Sequence, residues 1–279
     1  MQLWFTEEQK PQMHLNLQVR KVLAQKKSNY QHILVLDTEI FGRILVLDGY
    51  IQITQLDEYI YHEMIVHVPL ITHGSPQNVL IIGGGDGGSV REALRHPSVE
   101  QVTLVEIDRD VAEASREFFP EVSSCLDHPR VELCWEDGID FLENKSKAYD
   151  VVIVDSTEPV GPAKSLFSFD FYNRVAKALK EGGVMTAQTE SPFHNRDLIS
   201  ISWQYLNQLF QIAEVYTAPI PSYPGGLWSF ALGSKGKDPR GIASEAGDFL
   251  RDQCSYYTPE IHQSAFVLPP AFAKLKPSS

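Results

Sequence analysis

Nothing in these 279 residues offers a run of about 18 consecutive apolar positions, so the sequence contains no candidate membrane-spanning helix. The opening residues, MQLWFTEEQK, lack the apolar core of a secretory signal. Cysteine occurs three times, at Cys125, Cys134 and Cys254, with neither paired nor metal-ligand spacing. That scarcity argues against a disulfide framework and a structural zinc. With the missing signal it predicts a cytoplasmic protein with reduced thiols and no metal. Internal repeats and low-complexity tracts are absent as well. Cationic side chains are few: 24 Lys and Arg stand against 36 Asp and Glu, for a formal net charge of −12. Such a chain repels nucleic acid and anionic membranes, and an acidic cleft in it would draw cations.

What is present is a globular composition, 43% hydrophobic and 22% charged, long enough for one large domain or two unequal ones. Two periodicities divide it. The runs HLNLQVRKVLAQ, YQHILVLDT and GRILVLDGYIQIT alternate with period two, and Asp48 with Gly49 supplies a hairpin turn. They predict a small antiparallel β domain over residues 1–56. DEYIYHEMIVHVPL is helical in period and is expected to end near Pro69. Beyond it NVLIIG, QVTLVEID, RVELCW and YDVVIVD alternate with amphipathic stretches such as GGSVREALRH and RDVAEASREFF. GGVMTAQT, IAEVYTAPI and GLWSFALGS add three strands. The pattern predicts an α/β domain over 57–279, a seven-stranded Rossmann-like sheet with helices on both faces. A helix around ASEAGDFLRDQ and an irregular tail, YYTPEIHQSAFVLPPAF, close the chain.

Five glycines among six residues, 83–88, follow the strand VLII and open a helix, with Asp86 in their midst. Gly83, Gly85 and Gly88 satisfy G-x-G-x-x-G, and Glu106 ends the next strand, where an acid grips ribose hydroxyls. A nicotinamide dehydrogenase therefore competes. Asp86 discriminates: a carboxylate inside the loop repels a pyrophosphate, which needs bare N–H groups and a helix N-terminus. It suits a nucleoside with a cationic tail, such as a sulfonium. Asp137 and Gly138 repeat the arrangement after the third strand, where the acid either meets adenine or caps a helix. Asp155 ends the fourth strand, and Glu158 follows in a loop shaped by Pro159, Gly161 and Pro162. The stretch 156–168 has the glycine and proline content of a lid.

The ordered stretches LVLDGYIQIT, DEYIYHEMIVHVPL, VLIIGGGDGG, VEID, DSTEPVGPA, PSYPGG and HQSAFVLP resemble the spermidine synthases, the polyamine aminopropyltransferases, over nearly the whole chain. The resemblance implies a small N-terminal β domain on a Rossmann-like methyltransferase-type domain, assembled as a homodimer or homotetramer. It implies aminopropyl transfer from decarboxylated S-adenosylmethionine, a co-substrate, to putrescine, giving spermidine and methylthioadenosine. Agmatine, cadaverine or a longer polyamine are alternative acceptors. Carried over by motif, Gln31, Gly83, Gly85, Asp86, Glu106, Asp137, Gly138 and Pro162 line the nucleoside side. Asp155 is the base, with Tyr61 orienting the amine. His62, Glu158, Tyr223 and Gln188 belong to the amine slot, with Glu190 as a further acid near its far end. Relatives often carry Gln at position 62 and Asp at position 158, so acceptor length is left open, and Trp228 is either a wall of the slot or ordinary core.

Overall fold

The computed structural model describes residues 2–159, 161–243 and 245–277. The period-two segments form a five-stranded antiparallel sheet in sequence order: β1 (Leu3–Lys10), β2 (Met13–Lys27), β3 (His32–Thr38), β4 (Gly42–Leu47) and β5 (Tyr50–Thr54). Asp48 at φ 48° and Gly49 at φ 92° make the left-handed turn joining β4 to β5. The pattern does not disclose β1. Its inward position is held by Glu7, only 2% exposed, so the strand reads as polar.

The chain continues as α1 (Glu58–His73), β6 (Asn78–Gly83), α2 (Gly88–Leu94), β7 (Gln101–Val105), α3 (Arg109–Phe118), α4 (Pro120–Ser123) and β8 (Val131–Cys134). Then come α5 (Gly138–Leu142), β9 (Tyr149–Asp155), α6 (Phe169–Ala178), β10 (Leu179–Gln188), α7 (Arg196–Leu209), β11 (Ile212–Pro219) and β12 (Leu227–Ser234). Two short helices, α8 (Pro259–Ala265) and α9 (Pro270–Ala273), follow. The second sheet has the order β11-β12-β10-β9-β6-β7-β8. Strands β6 to β10 pair in parallel, and β12 runs antiparallel to both neighbours. Val79 and Ile81 of β6 pack into one core with Met64 and Val68 of α1. Leu80 and Ile82 pack into the other with Tyr172 of α6 and Trp203 of α7. A strand covered on both faces has no polar side, and so β9 is buried at all seven positions.

Two expectations need correction. Helix α1 does not stop at Pro69 but runs four residues past it. An internal proline costs about 3 kcal/mol in an isolated helix. Here every residue from 60 to 72 is buried, against β9, β10, β11 and α2, and that burial outweighs the lost bond. At the other end, the stretch ASEAGDFLRDQ yields among its described residues only a 3-10 turn, Asp248–Leu250, because Gly247 at φ 90° interrupts it. The helix lies instead in the tail expected to be irregular. There Thr258 caps α8 by accepting from Ile261 N at 3.2 Å, and Pro259 occupies the first turn. Glu63 of α1 tethers this tail by accepting the N–H groups of Ser255, Tyr256 and Tyr257 at 2.7–2.8 Å. No helix among the described residues is long and apolar enough to cross a membrane.

Candidate active site

The carboxyl ends of β6, β7, β9 and β10 open into one cleft, roofed by Leu45, Leu47 and Ile51 of the first sheet. Register sets the alignment. Gly83 pairs with Asp155 across β6 and β9, so the glycine loop and the acid leave the sheet side by side. The loop must be glycine for this closeness. A Cβ on Gly83, at φ 81°, would meet Asp155 O at 2.1 Å, and one on Gly85 would meet the Glu106 side chain at 2.9 Å.

Asp155 receives two hydroxyls: Tyr61 donates to Oδ1 and Ser89 of α2 to Oδ2, each at 2.6 Å. Burial, and then the nearby Asp86 charge, raise its pKa above the usual carboxylate range. The Tyr61 phenol is pushed well above its ordinary value by burial and by Asp155, so it donates and stays protonated. Its ring stands edge-on to Tyr223 at 5.8 Å, and Tyr223 to Trp228 at 4.6 Å, an aromatic wall beside Asp155. Asp57 fixes that wall by accepting from Ser222 N at 2.7 Å, Ser222 Oγ at 2.9 Å and Thr54 Oγ1 at 2.7 Å.

On the nucleoside side Glu106 accepts from Asp108 N at 2.8 Å. Burial outweighs this bond and lifts Glu106 to about 7. Gln31 lines the cleft itself and is held there by donating to Asp108 Oδ2 at 2.9 Å, beside Ser28 Oγ at 2.6 Å. Asp137 caps α5, accepting from Ile139 N at 2.7 Å through Oδ1, and also lines the cleft. The two readings left open for it are compatible, one oxygen for each. Gly138 lies against Ile82, where a Cβ would sit 2.5 Å from Cγ2. From 161 the chain forms a 3-10 helix, Gly161–Phe167; the Pro162 side chain lies outside the described residues.

The far end of the cleft carries Glu158, and two buried acids, Glu190 and Glu7, lie within electrostatic reach of it. Glu158 accepts from Gln52 Nε2 at 3.3 Å, and burial raises its pKa. Glu190 adopts φ 68° and is lifted to about 8 by burial and the Glu158 charge. One of its oxygens accepts from Asn195; the other is buried with no protein partner among the described residues, as are Ser156 Oγ and Trp228 Nε1. Glu7 of β1 accepts from Ile51 N at 3.0 Å, but burial foremost, with Glu158 adding, puts it at about 7. Gln188 donates to Ser156 O at 3.2 Å and Thr157 O at 3.3 Å, pinning the segment after β9.

His62 is among the residues lining the cleft, next to Tyr61 and Asp86. It is fully buried, with Nδ1 2.6 Å from Glu58 Oε2 and Nε2 3.2 Å from Asp86 Oδ1. Gly88 lies over its ring: a Cβ there would come within 2.2–2.5 Å of three ring atoms. Gly88→Ala should therefore destabilise the protein by about 1–3 kcal/mol, the usual range for overpacking. A thermal melt that matches the wild type would refute this contact. Ser89, Asp108, Asp57 and Glu7 escape a sequence reading because their partners lie tens of residues away. A separate cluster, His67, Glu92 and Cys254, has atoms close enough for a metal, but Arg91 and Arg95 already pair with Glu92 at 2.7 Å.

The chain matches two family models, the spermine/spermidine synthase domain over residues 58–240 and the spermidine synthase tetramerisation domain over residues 3–55. It is 51% identical over 269 residues to a polyamine aminopropyltransferase of Thermoanaerobacter sp. (strain X514), covering 96% of each chain. To the polyamine aminopropyltransferase of Bacillus subtilis (strain 168) it is 46% identical over 268 residues, again 96% of each. A crystal structure of spermidine synthase in complex with the transition state analogue AdoDATO superposes with a TM-score of 0.96 at 36% identity, over 98% of this chain and 94% of that one. Spermidine synthase from Thermotoga maritima gives 0.94 at 36% identity, with the same coverage.

Proposed function

The chain belongs to the spermine/spermidine synthase family, and from that premise we propose that it transfers an aminopropyl group from decarboxylated S-adenosylmethionine to putrescine. The single observation that carries the chemistry is Asp155, buried at the cleft with both oxygens held by hydroxyls, between a nucleoside-type side and an acidic far end. Family membership also decides against hydride transfer.

An amine nitrogen attacks the methylene carbon beside the sulfonium. The C–S bond breaks, its electron pair stays on sulfur, and methylthioadenosine leaves as a neutral thioether. The nitrogen becomes cationic and passes its proton to Asp155. A free alkylammonium titrates near ~10.4, so the cleft must deliver the nitrogen deprotonated and aligned. The raised pKa of Asp155 suits a proton acceptor, and the Tyr61 hydroxyl orients it. Asp86 holds the aminopropyl ammonium, Glu106 the ribose hydroxyls and Asp137 the adenine. The distal ammonium of the diamine meets Glu158, with the buried Glu190 and Glu7 within electrostatic reach of that acid. Those three share fewer than three charges until a cation arrives, since each is lifted by burial. The Tyr223–Trp228 wall separates the two ends and sets chain length.

Incubating the protein with donor and an equimolar mixture of putrescine, agmatine, cadaverine and spermidine tests this reading. Mass spectrometry should show spermidine and methylthioadenosine alone. Another aminopropylated amine overturns the acceptor assignment, and no transfer overturns the activity.

Glu106 makes donor binding pH-dependent. Ribose hydroxyls donate best to a carboxylate, so the complex favours the ionised form, while the empty cleft holds Glu106 at about 7. Methylthioadenosine affinity is then full above about pH 7 and falls by up to tenfold per pH unit below it. Titration calorimetry between about pH 8 and pH 6 checks the slope, which Glu106→Gln should flatten. A pH-independent wild-type affinity would sink it.

We place the division of the chain at 56/57, between β5 and α1, and assign a cytoplasmic location. The N-terminal sheet is proposed to join copies into a dimer or tetramer. Leu3, Trp4, Met13 and Ile40, all exposed on that sheet or its turns, fit such a contact. Light scattering distinguishes the two states, and a monomer overturns both.

A further inference from the structure

Asp86 departs from the buried acids around it. Burial raises Asp155, Glu106, Glu158 and Glu190, yet Asp86, 9% exposed, is lowered, because His62 overcomes the burial. The geometry behind this is a row of alternating charge that starts at the cleft. Asp86 Oδ1 lies 3.2 Å from His62 Nε2, and His62 Nδ1 lies 2.6 Å from Glu58 Oε2. Arg91 of α2 grips Glu58 with two bonds of 2.9 Å and reaches Glu92 at 2.7 Å. With a carboxylate at each ring nitrogen and no exposure, His62 is held as the imidazolium. Its own burial opposes this, and the two acids win, Asp86 foremost. Glu58 is likewise pushed up by burial but brought to about 2 by His62 and Arg91.

We infer that His62 is a positioning residue for the donor: an internal counter-ion, backed by Glu58 and Arg91, that holds the Asp86 carboxylate aimed at the cationic tail. The proposal rests on the reading of Asp86 as the group that holds the aminopropyl ammonium. Aim follows from which oxygen is used. Gly88 N donates to Oδ1 at 2.7 Å, and His62 also meets Oδ1, which leaves Oδ2 for a ligand. An incoming ammonium then extends the row as ammonium, Asp86, His62, Glu58, Arg91, each ion flanked by its opposite. Removing His62 leaves Asp86 buried beside Asp155 with no cation, the situation in which a carboxyl takes up a proton. The groups facing His62 are Glu58 on its own helix, Asp86 on the loop, Tyr61 edge-on at 5.4 Å, and Asp155 behind Tyr61.

The test compares decarboxylated S-adenosylmethionine with methylthioadenosine, which has the same nucleoside and no ammonium. Affinities are measured by calorimetry for the wild type, His62→Gln and Glu58→Gln. In the wild type the cationic donor should bind more tightly, with a ratio flat from about pH 6 to pH 8.5. In His62→Gln the ratio should fall about tenfold at neutral pH and fall further on acidification, as Asp86 protonates. Glu58→Gln, which keeps the ring in place, should show the same trend more weakly and covers the case that the first variant does not fold. A ratio that rises in His62→Gln overturns the proposal, because His62 would then only repel the ammonium. Equal losses for both ligands also overturn it, since that marks a packing role. A wild-type ratio near one removes the underlying reading of Asp86 itself.

Discussion

Replacing Asp155 with Asn is expected to lower kcat by about 10²–10⁴, the range for loss of a positioned proton acceptor. Methylthioadenosine affinity should change by less than about threefold, under 1 kcal/mol. The substitution preserves shape, so the aromatic wall and the glycine loop stay where β6 and β9 align them. What changes is that an amide nitrogen cannot accept. One of the two hydroxyls now at 2.6 Å, from Tyr61 or Ser89, must turn away, and no group remains to take the proton from the new C–N centre. Single-turnover mixing separates this loss from product release. If the chemical step in Asp155→Asn keeps its wild-type rate, Asp155 is not the base. Ser89→Ala is the finer companion. It frees one carboxylate oxygen, strips a stabilising bond from the anion and should cost only about tenfold.

The parts of the fold that follow from local rules are visible in the sequence. Buried strands such as β9 read as unbroken apolar runs, and the left-handed pair Asp48 and Gly49 announces its hairpin. Asp86, Glu106 and Asp155 stand out in the sequence because each follows an apolar run that ends at the same edge of the sheet. What is hidden depends on distant chain segments. Glu7 looks like a surface acid on an edge strand until its bond to Ile51 N and its burial place it near Glu158. The Glu58–His62 pair has helical i, i+4 spacing, yet spacing alone cannot show that His62 is fully buried or that Asp86 closes the other side. Pro69 misleads for the same reason: local propensity ends α1 there, and the surrounding sheet carries it on.

Asp86→Asn should weaken binding of the decarboxylated donor by about two orders of magnitude, roughly 3 kcal/mol, the cost of leaving a buried cation without its partner. Two cations lose that partner at once, the aminopropyl ammonium and His62, so the loss should exceed that of any single exposed ion pair. Methylthioadenosine, which brings no charge to the position, should bind nearly as before. The same change should narrow the preference for the decarboxylated donor over S-adenosylmethionine. The latter carries an extra carboxylate toward Asp86, and like charges in a poorly solvated cleft repel strongly. Asparagine removes that repulsion as well as the attraction. Competition calorimetry with both sulfonium ligands reads the two effects together. If selectivity is retained while donor affinity falls, the discrimination arises elsewhere in the cleft. If neither changes, the ammonium is held by another acid, and Glu158 or Glu190 becomes the group to replace.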